Sequence, residues 1–147
     1  MRRIVMASIL IVLLSCSKDD TIDFDVKRNN IIGNWEITQA SQEIRADTVY
    51  AESSTTFSIS FNDDGTGTKE TFIGTDVSFE WLYQYNPEKV VISGMQSGVV
   101  LSDVQFYNVI KNEMNRQIWE FEIYPQTGVV DLYKHTWKMD RKLGNRL

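Results

Sequence analysis

His135 is the only histidine and Cys16 the only cysteine of this 147-residue chain, which limits the chemistry its side chains can supply. Zinc centres gather several cysteines and histidines with few carboxylates, and one of each makes no such cluster. Ser-His-Asp catalysis needs a serine presented to the histidine, yet no nucleophile elbow of the Gly-x-Ser-x-Gly kind occurs. His135 shares its parity with Tyr133 and Trp137 and reads as a half-buried or rim residue. The run Asn62-Asp63-Asp64-Gly65-Thr66-Gly67 invites a calcium test. Aligned with an EF-hand loop, it puts Ile73 where a bidentate glutamate must stand, so it reads as a hairpin turn. Glu120 and Glu122 lie opposite Trp119 and Phe121 on the solvated face of a strand, where nothing sets one carboxylate apart as an acid. The expectation is a protein without catalytic residues, metal or cofactor.

The elements around these residues alternate with period two between turn residues, the pattern of half-buried strands. Trp35 and Ile37 alternate with polar neighbours in Asn34 to Glu43, and Phe57, Ile59 and Phe61 follow. A weaker strand runs from Thr66 to Ile73. Phe79, Trp81, Tyr83 and Tyr85 then share one face. Val90 and Ile92, and after them Val100, Val104 and Phe106, continue the apolar series. Trp119, Phe121 and Ile123 make a seventh strand, and Tyr133, Trp137 and Met139 the eighth. Asn62 to Gly67, Asn86-Pro87-Glu88, Gly94 to Gly98 and Pro125 to Gly128 supply the turns. Eight short strands in such a meander predict an all-β barrel or sandwich. Val109 to Arg116 reads as a strand end and loop.

The N-terminus carries a different signal. Arg2 and Arg3 precede an eleven-residue apolar run, Ile4 to Leu14, interrupted only by Ser8 and followed by Ser15 and Cys16. That order is a secretory signal, and the run falls short of the about 20 residues a spanning helix needs. Removing residues 1–15 leaves 13 basic against 20 acidic residues, a balance that repels nucleic acid. The exported domain has no internal disulfide and depends on apolar burial, which 17 Phe, Tyr and Trp residues can supply. Ser17 to Val26 contains four aspartates without apolar periodicity and predicts a disordered tether, with at most one helical turn between Asp23 and Ile32.

Leu13-Leu14-Ser15-Cys16 resembles the lipobox of bacterial lipoproteins, which implies lipid attachment, such as palmitate, at Cys16. Ser17-Lys18-Asp19-Asp20 resembles the acidic export signal of Bacteroidota surface lipoproteins, which implies an outer-membrane protein facing the cell exterior. Gly33-Asn34-Trp35, with Phe61 to Thr68 and Glu80-Trp81, resembles the lipocalin-like domain of such lipoproteins over residues 29–141. The resemblance implies an eight-stranded antiparallel up-and-down barrel of the lipocalin/calycin kind. It also implies that Trp35 packs at the closed end beneath a basic residue from the end of the last strand, Arg141 as the nearest match with Lys138 or Lys142 as substitutes, and that Gly33 is part of the motif.

The expected organisation is a signal peptide at 1–15, a lipidated N-terminus and tether at 16–28, and a barrel domain at 29–147. Eight-stranded barrels are wide enough to be filled by side chains or to hold one small ligand. Phe79, Trp81, Tyr83, Tyr85, Trp119 and Phe121 are the candidates either to line a cavity for a small apolar or amphipathic molecule or to fill the interior. In the second case the domain would contact an envelope protein or inhibit a secreted enzyme through its surface.

Overall fold

The computed structural model describes residues 18–70, 75–95, 104–124 and 130–142. The signal segment 1–15, Cys16, Val100 and the turn at 125–128 lie outside the described residues, as do Ile73 and residues 96–98. One helix, α1 (Lys18–Ile31), precedes eight strands. They are β1 (Gly33–Arg45), β2 (Thr48–Phe61), β3 (Thr66–Glu70), β4 (Asp76–Gln84), β5 (Lys89–Ser93), β6 (Val104–Asn112), β7 (Arg116–Ile123) and β8 (Leu132–Arg141). Each strand pairs antiparallel with its neighbours in sequence, and β8 pairs with β1, so the meander is a closed up-and-down barrel. Closure removes the sheet edges that a sandwich would leave.

Turn chemistry sets the register. In the β2–β3 hairpin, Asp64 Oδ1 accepts from Thr66 N–H at 2.9 Å and from Thr66 Oγ1 at 2.7 Å, while Gly65 takes φ 85°. These bonds hold the Asp64 carboxyl below the usual range and occupy it as a turn residue. The β1–β2 hairpin turns on Ala46 and Asp47 at φ 47° and 61°, a pair of left-handed residues whose twist suits a two-residue hairpin. Asp131 Oδ2 accepts from Ala46 N–H at 2.7 Å and ties this turn to β8. Gly67 is an inward position where any Cβ would stand 2.2 Å from Phe79 Cζ. A glycine there lets the Phe79 ring lie against the β3 backbone.

Two expectations change. The segment read as a tether is helical from Lys18, and its side chains from Asp23 onward dock on the barrel. The Phe24 ring meets Tyr83 at 5.5 Å, Arg28 pairs with Asp63 at 2.7 Å, Lys27 pairs with Glu88, and Tyr85 donates to Asp23 at 2.5 Å. Polar composition concealed a helix whose Asp23, Lys27 and Arg28 find partners on the barrel. In β6 the expected face is reversed: Gln105 and Tyr107 are buried, whereas Val104 and Phe106 point to solvent. Tyr107 decides the face, because its ring fits among Phe121, Trp137 and Trp119 at 4.6, 4.6 and 5.9 Å. Residues 109–112, read as a strand end and loop, complete β6.

Candidate ligand cavity

The interior divides into a filled half and an open half, and the inward residues of β1 mark the border. From the start of the strand they run Trp35, Ile37, Gln39, Ser41 and Glu43, changing from apolar to polar at the third position. Opposite them on β8 stand Arg141, Met139, Trp137, His135 and Tyr133.

The half beside α1 is packed. Trp35 is fully buried, donates its indole N–H to Ile31 O at 2.7 Å, and lies beneath the Arg141 guanidinium at 4.7 Å. Arg141 also donates to Asn30 O at 2.9 Å and Met114 O at 2.5 Å, tying the helix end, the β6–β7 hairpin and β8 together. A Cβ on Gly33, at φ 135°, would stand 2.7 Å from Arg141 Nη1, so glycine leaves room for that contact. The Phe61 ring sits edge-on to Phe79, Trp81 and Trp119 at 5.4–5.5 Å. Gln117, buried at the same end, accepts from Trp119 Nε1 at 3.2 Å and donates to Glu113 O at 2.8 Å.

Most of the sequence-predicted lining therefore lies elsewhere than in a cavity. Phe79, Trp81, Tyr83 and Trp119 are core residues of the packed half, and Tyr85 lies against its margin under the Lys27 ammonium at 5.8 Å. Burial, with Glu88 close by, pushes the Tyr83 phenol well above its usual range. Of the six, Phe121 alone lines the cavity described next. The others take the second expected role, filling the interior, because large rings beside a helix-capped end pack against one another and close the space.

The far half forms a cup of about 350 Å³. Phe121 and Ile123 from β7 and Tyr133 from β8 supply apolar walls, with Trp137 toward the packed half. Ser41 and Glu43 from β1, Ala51 and Ser53 from β2, Lys69 from β3 and Gln105 from β6 complete it. The rings on β7 and β8 are nearly parallel: His135 stacks on Phe121 at 4.6 Å and 21°, and on Tyr133 at 6.4 Å and 15°.

A hydrogen-bond chain fixes the polar side. Trp137 Nε1, which can only donate, gives its proton to Gln39 Oε1 at 2.6 Å. Gln39 Nε2 is thereby the donor end, facing Ser41 Oγ at 3.1 Å and His135 Nδ1 at 3.4 Å. Ser41 Oγ and His135 Nδ1 share a hydrogen bond at 2.7 Å, which either tautomer of a neutral ring makes. Burial lowers the His135 pKa and favours this neutral ring. The Ser41–His135 distance is one at which a base can take a hydroxyl proton, but among the described residues no carboxylate orients the other ring nitrogen. The arrangement offers hydrogen bonds on one side and ring faces on the other.

Gln39, Ser41, Lys69 and Gln105 were not singled out from the sequence. Their signal is inward parity: each occupies a core-facing position of its strand. Outside the barrel, Leu82, Val91 and Phe106 stand in register across β4, β5 and β6. Leu82 and Phe106 are 59% and 57% exposed. No protein-family model, no curated protein and no solved structure matches this chain, so the cup and its residues carry the functional argument alone.

Proposed function

We propose that this protein is a lipid-anchored, lipocalin-like lipoprotein whose cup binds one small amphipathic molecule without transforming it. One observation carries the reading: a barrel packed and helix-capped at one end keeps a cup of about 350 Å³ at the other. That volume falls within the range of about 300–1,000 Å³ typical of small-molecule sites. A few convergent polar groups against aromatic walls are what such sites use to orient an amphipathic ligand. The anchor rests on the lipobox-like run ending at Cys16, and surface exposure on the acidic residues after it. Asp23, docked at the packed end, follows Cys16 by seven residues, a span of at most about 25 Å. An anchor at Cys16 would hold the packed end toward the membrane and leave the cup facing away.

The test is titration with N-phenyl-1-naphthylamine, a neutral apolar fluorophore. Saturable one-to-one binding is expected, and Ala51→Trp, which fills the cup from β2, should abolish it while the fold persists. The outward row of Leu82, Val91 and Phe106 supports a second reading, a protein-contact surface. Binding that survives Ala51→Trp and disappears in Phe106→Ser would transfer the function to that row. For the anchor, Cys16→Ser should abolish palmitate labelling and release the protein from membranes; unchanged labelling would refute it.

A further inference from the structure

Lys69 is the residue of the cup that packing alone does not explain. It pairs with Ile59 on β2 and Val77 on β4, and its parity with Gly67 turns it toward the interior. Its Nζ lies 4.4 Å from the centre of the Phe57 ring. Desolvation lowers its pKa, so retaining the proton there is costly. Among the described residues no carboxylate forms an ion pair with it. Glu43 and Glu52 line the same cup, but Glu43 faces Arg45 at 3.5 Å and Glu52 accepts from Gln42 at 2.8 Å. Lys69 also borders a groove lined by Glu36 and Glu70, but neither forms an ion pair with it. A partly desolvated cation without a counter-charge is destabilising, and a bound anion removes that cost.

Glu43 and Glu52 also line the cup, so an anionic head would be drawn to Lys69 and away from them. Lys69 is the only cation among the described lining residues, and His135 in the same lining presents a ring that burial keeps toward the neutral form. Phe121, Ile123 and Tyr133 offer apolar surface in the same space. We propose that the ligand of the cup is an apolar molecule bearing one anionic head group, and that the Lys69 ammonium holds that head. This deepens the reading of the cup as a ligand site and depends on it.

The experiment is displacement of N-phenyl-1-naphthylamine by four ten-carbon competitors: decanoate, decyl sulfate, 1-decanol and decylammonium. Charge-assisted hydrogen bonds exceed neutral ones enough that at least one anion should displace the probe at concentrations about tenfold or more below those of decanol. Decylammonium should be the weakest. Preference for decanoate over decyl sulfate would identify a carboxylate head, and the reverse order a sulfate- or phosphate-like one. Lys69→Met should bring decanoate and decanol together, and Lys69→Arg should restore the preference. If Lys69→Met does not fold, the wild-type ratio alone decides. Saturable probe binding with equal displacement by decanoate and decanol would overturn the role of Lys69 and leave the cup intact. Absence of saturable probe binding would overturn the cup itself.

Discussion

Replacing Trp81 and Phe121 separately by alanine should split stability from binding. Trp81 is 5% exposed, its ring meets Phe61 at 5.5 Å, and its indole N–H donates to Asn62 O at 3.1 Å and Thr66 O at 2.9 Å. Both carbonyls keep a second donor in the mutant, Gly65 N–H at 3.2 Å and Asn62 N–H at 2.8 Å, so no acceptor is orphaned. The loss is mainly that of an emptied aromatic site, about 3–5 kcal/mol. Arg28, 5.3 Å from the ring centre, loses a cation–π contact worth about 0.5–1 kcal/mol but keeps Asp63. A total near 4 kcal/mol corresponds to a melting midpoint lower by about 10–20 °C for a domain of this size. Phe121, 7% exposed, already borders open space, so its removal enlarges the cup and should cost about 2–3 kcal/mol. Thermal unfolding followed by circular dichroism, alongside fluorophore titration, reads both effects. Trp81→Ala should bind the probe with near-wild-type affinity below its midpoint, and Phe121→Ala should bind it several-fold differently. Loss of binding in Trp81→Ala with a wild-type midpoint would refute the division into a packed and an open half.

Three further outcomes follow from particular residues. The folded-state pKa of His135 is lowered, so its contribution to stability is complete above about pH 6.5 and declines as the pH falls toward the folded value, where the unfolded chain takes the proton first. His135→Gln should flatten the fall in melting midpoint between about pH 7 and 5, and an unaltered slope would contradict the burial assigned to the ring. Ala46 sits at φ 47°, where a Cβ is strained, so Ala46→Gly should stabilise the protein by about 0.5–1 kcal/mol in urea unfolding; destabilisation would contradict the turn geometry. Gly33→Ala should displace the Arg141 guanidinium from Trp35 and destabilise the protein by about 2 kcal/mol or more, seen as a lower midpoint and altered tryptophan fluorescence. An unchanged midpoint would contradict that contact.

The meander was legible because β4, β7 and β8 alternate strongly, with Phe79, Trp81 and Tyr83 fixing one face and Trp119, Phe121 and Trp137 the others. In β6, Val104 and Phe106 mimic an inward face, and only the space among three neighbouring rings selects Tyr107 instead. Helix α1 was hidden for a related reason. Its binding to the barrel comes from Asp23, Lys27 and Arg28 meeting Tyr85, Glu88 and Asp63, which are distant in sequence. The cup was missed because aromatic content drew the reading toward β4, whose rings the helix end encloses. Its actual markers are polar residues at inward parity, Gln39, Ser41 and Lys69, and period-two reading assigns such residues no role.

The central claim is that the open half of the barrel holds one small molecule. Its most direct test is amide and side-chain chemical-shift mapping during titration with N-phenyl-1-naphthylamine. Perturbations should saturate at one equivalent and concentrate on Ser41, Lys69, Phe121 and His135, with Trp35 and Ile31 unmoved. Shifts confined to Leu82, Val91 and Phe106, or none that saturate, would contradict it.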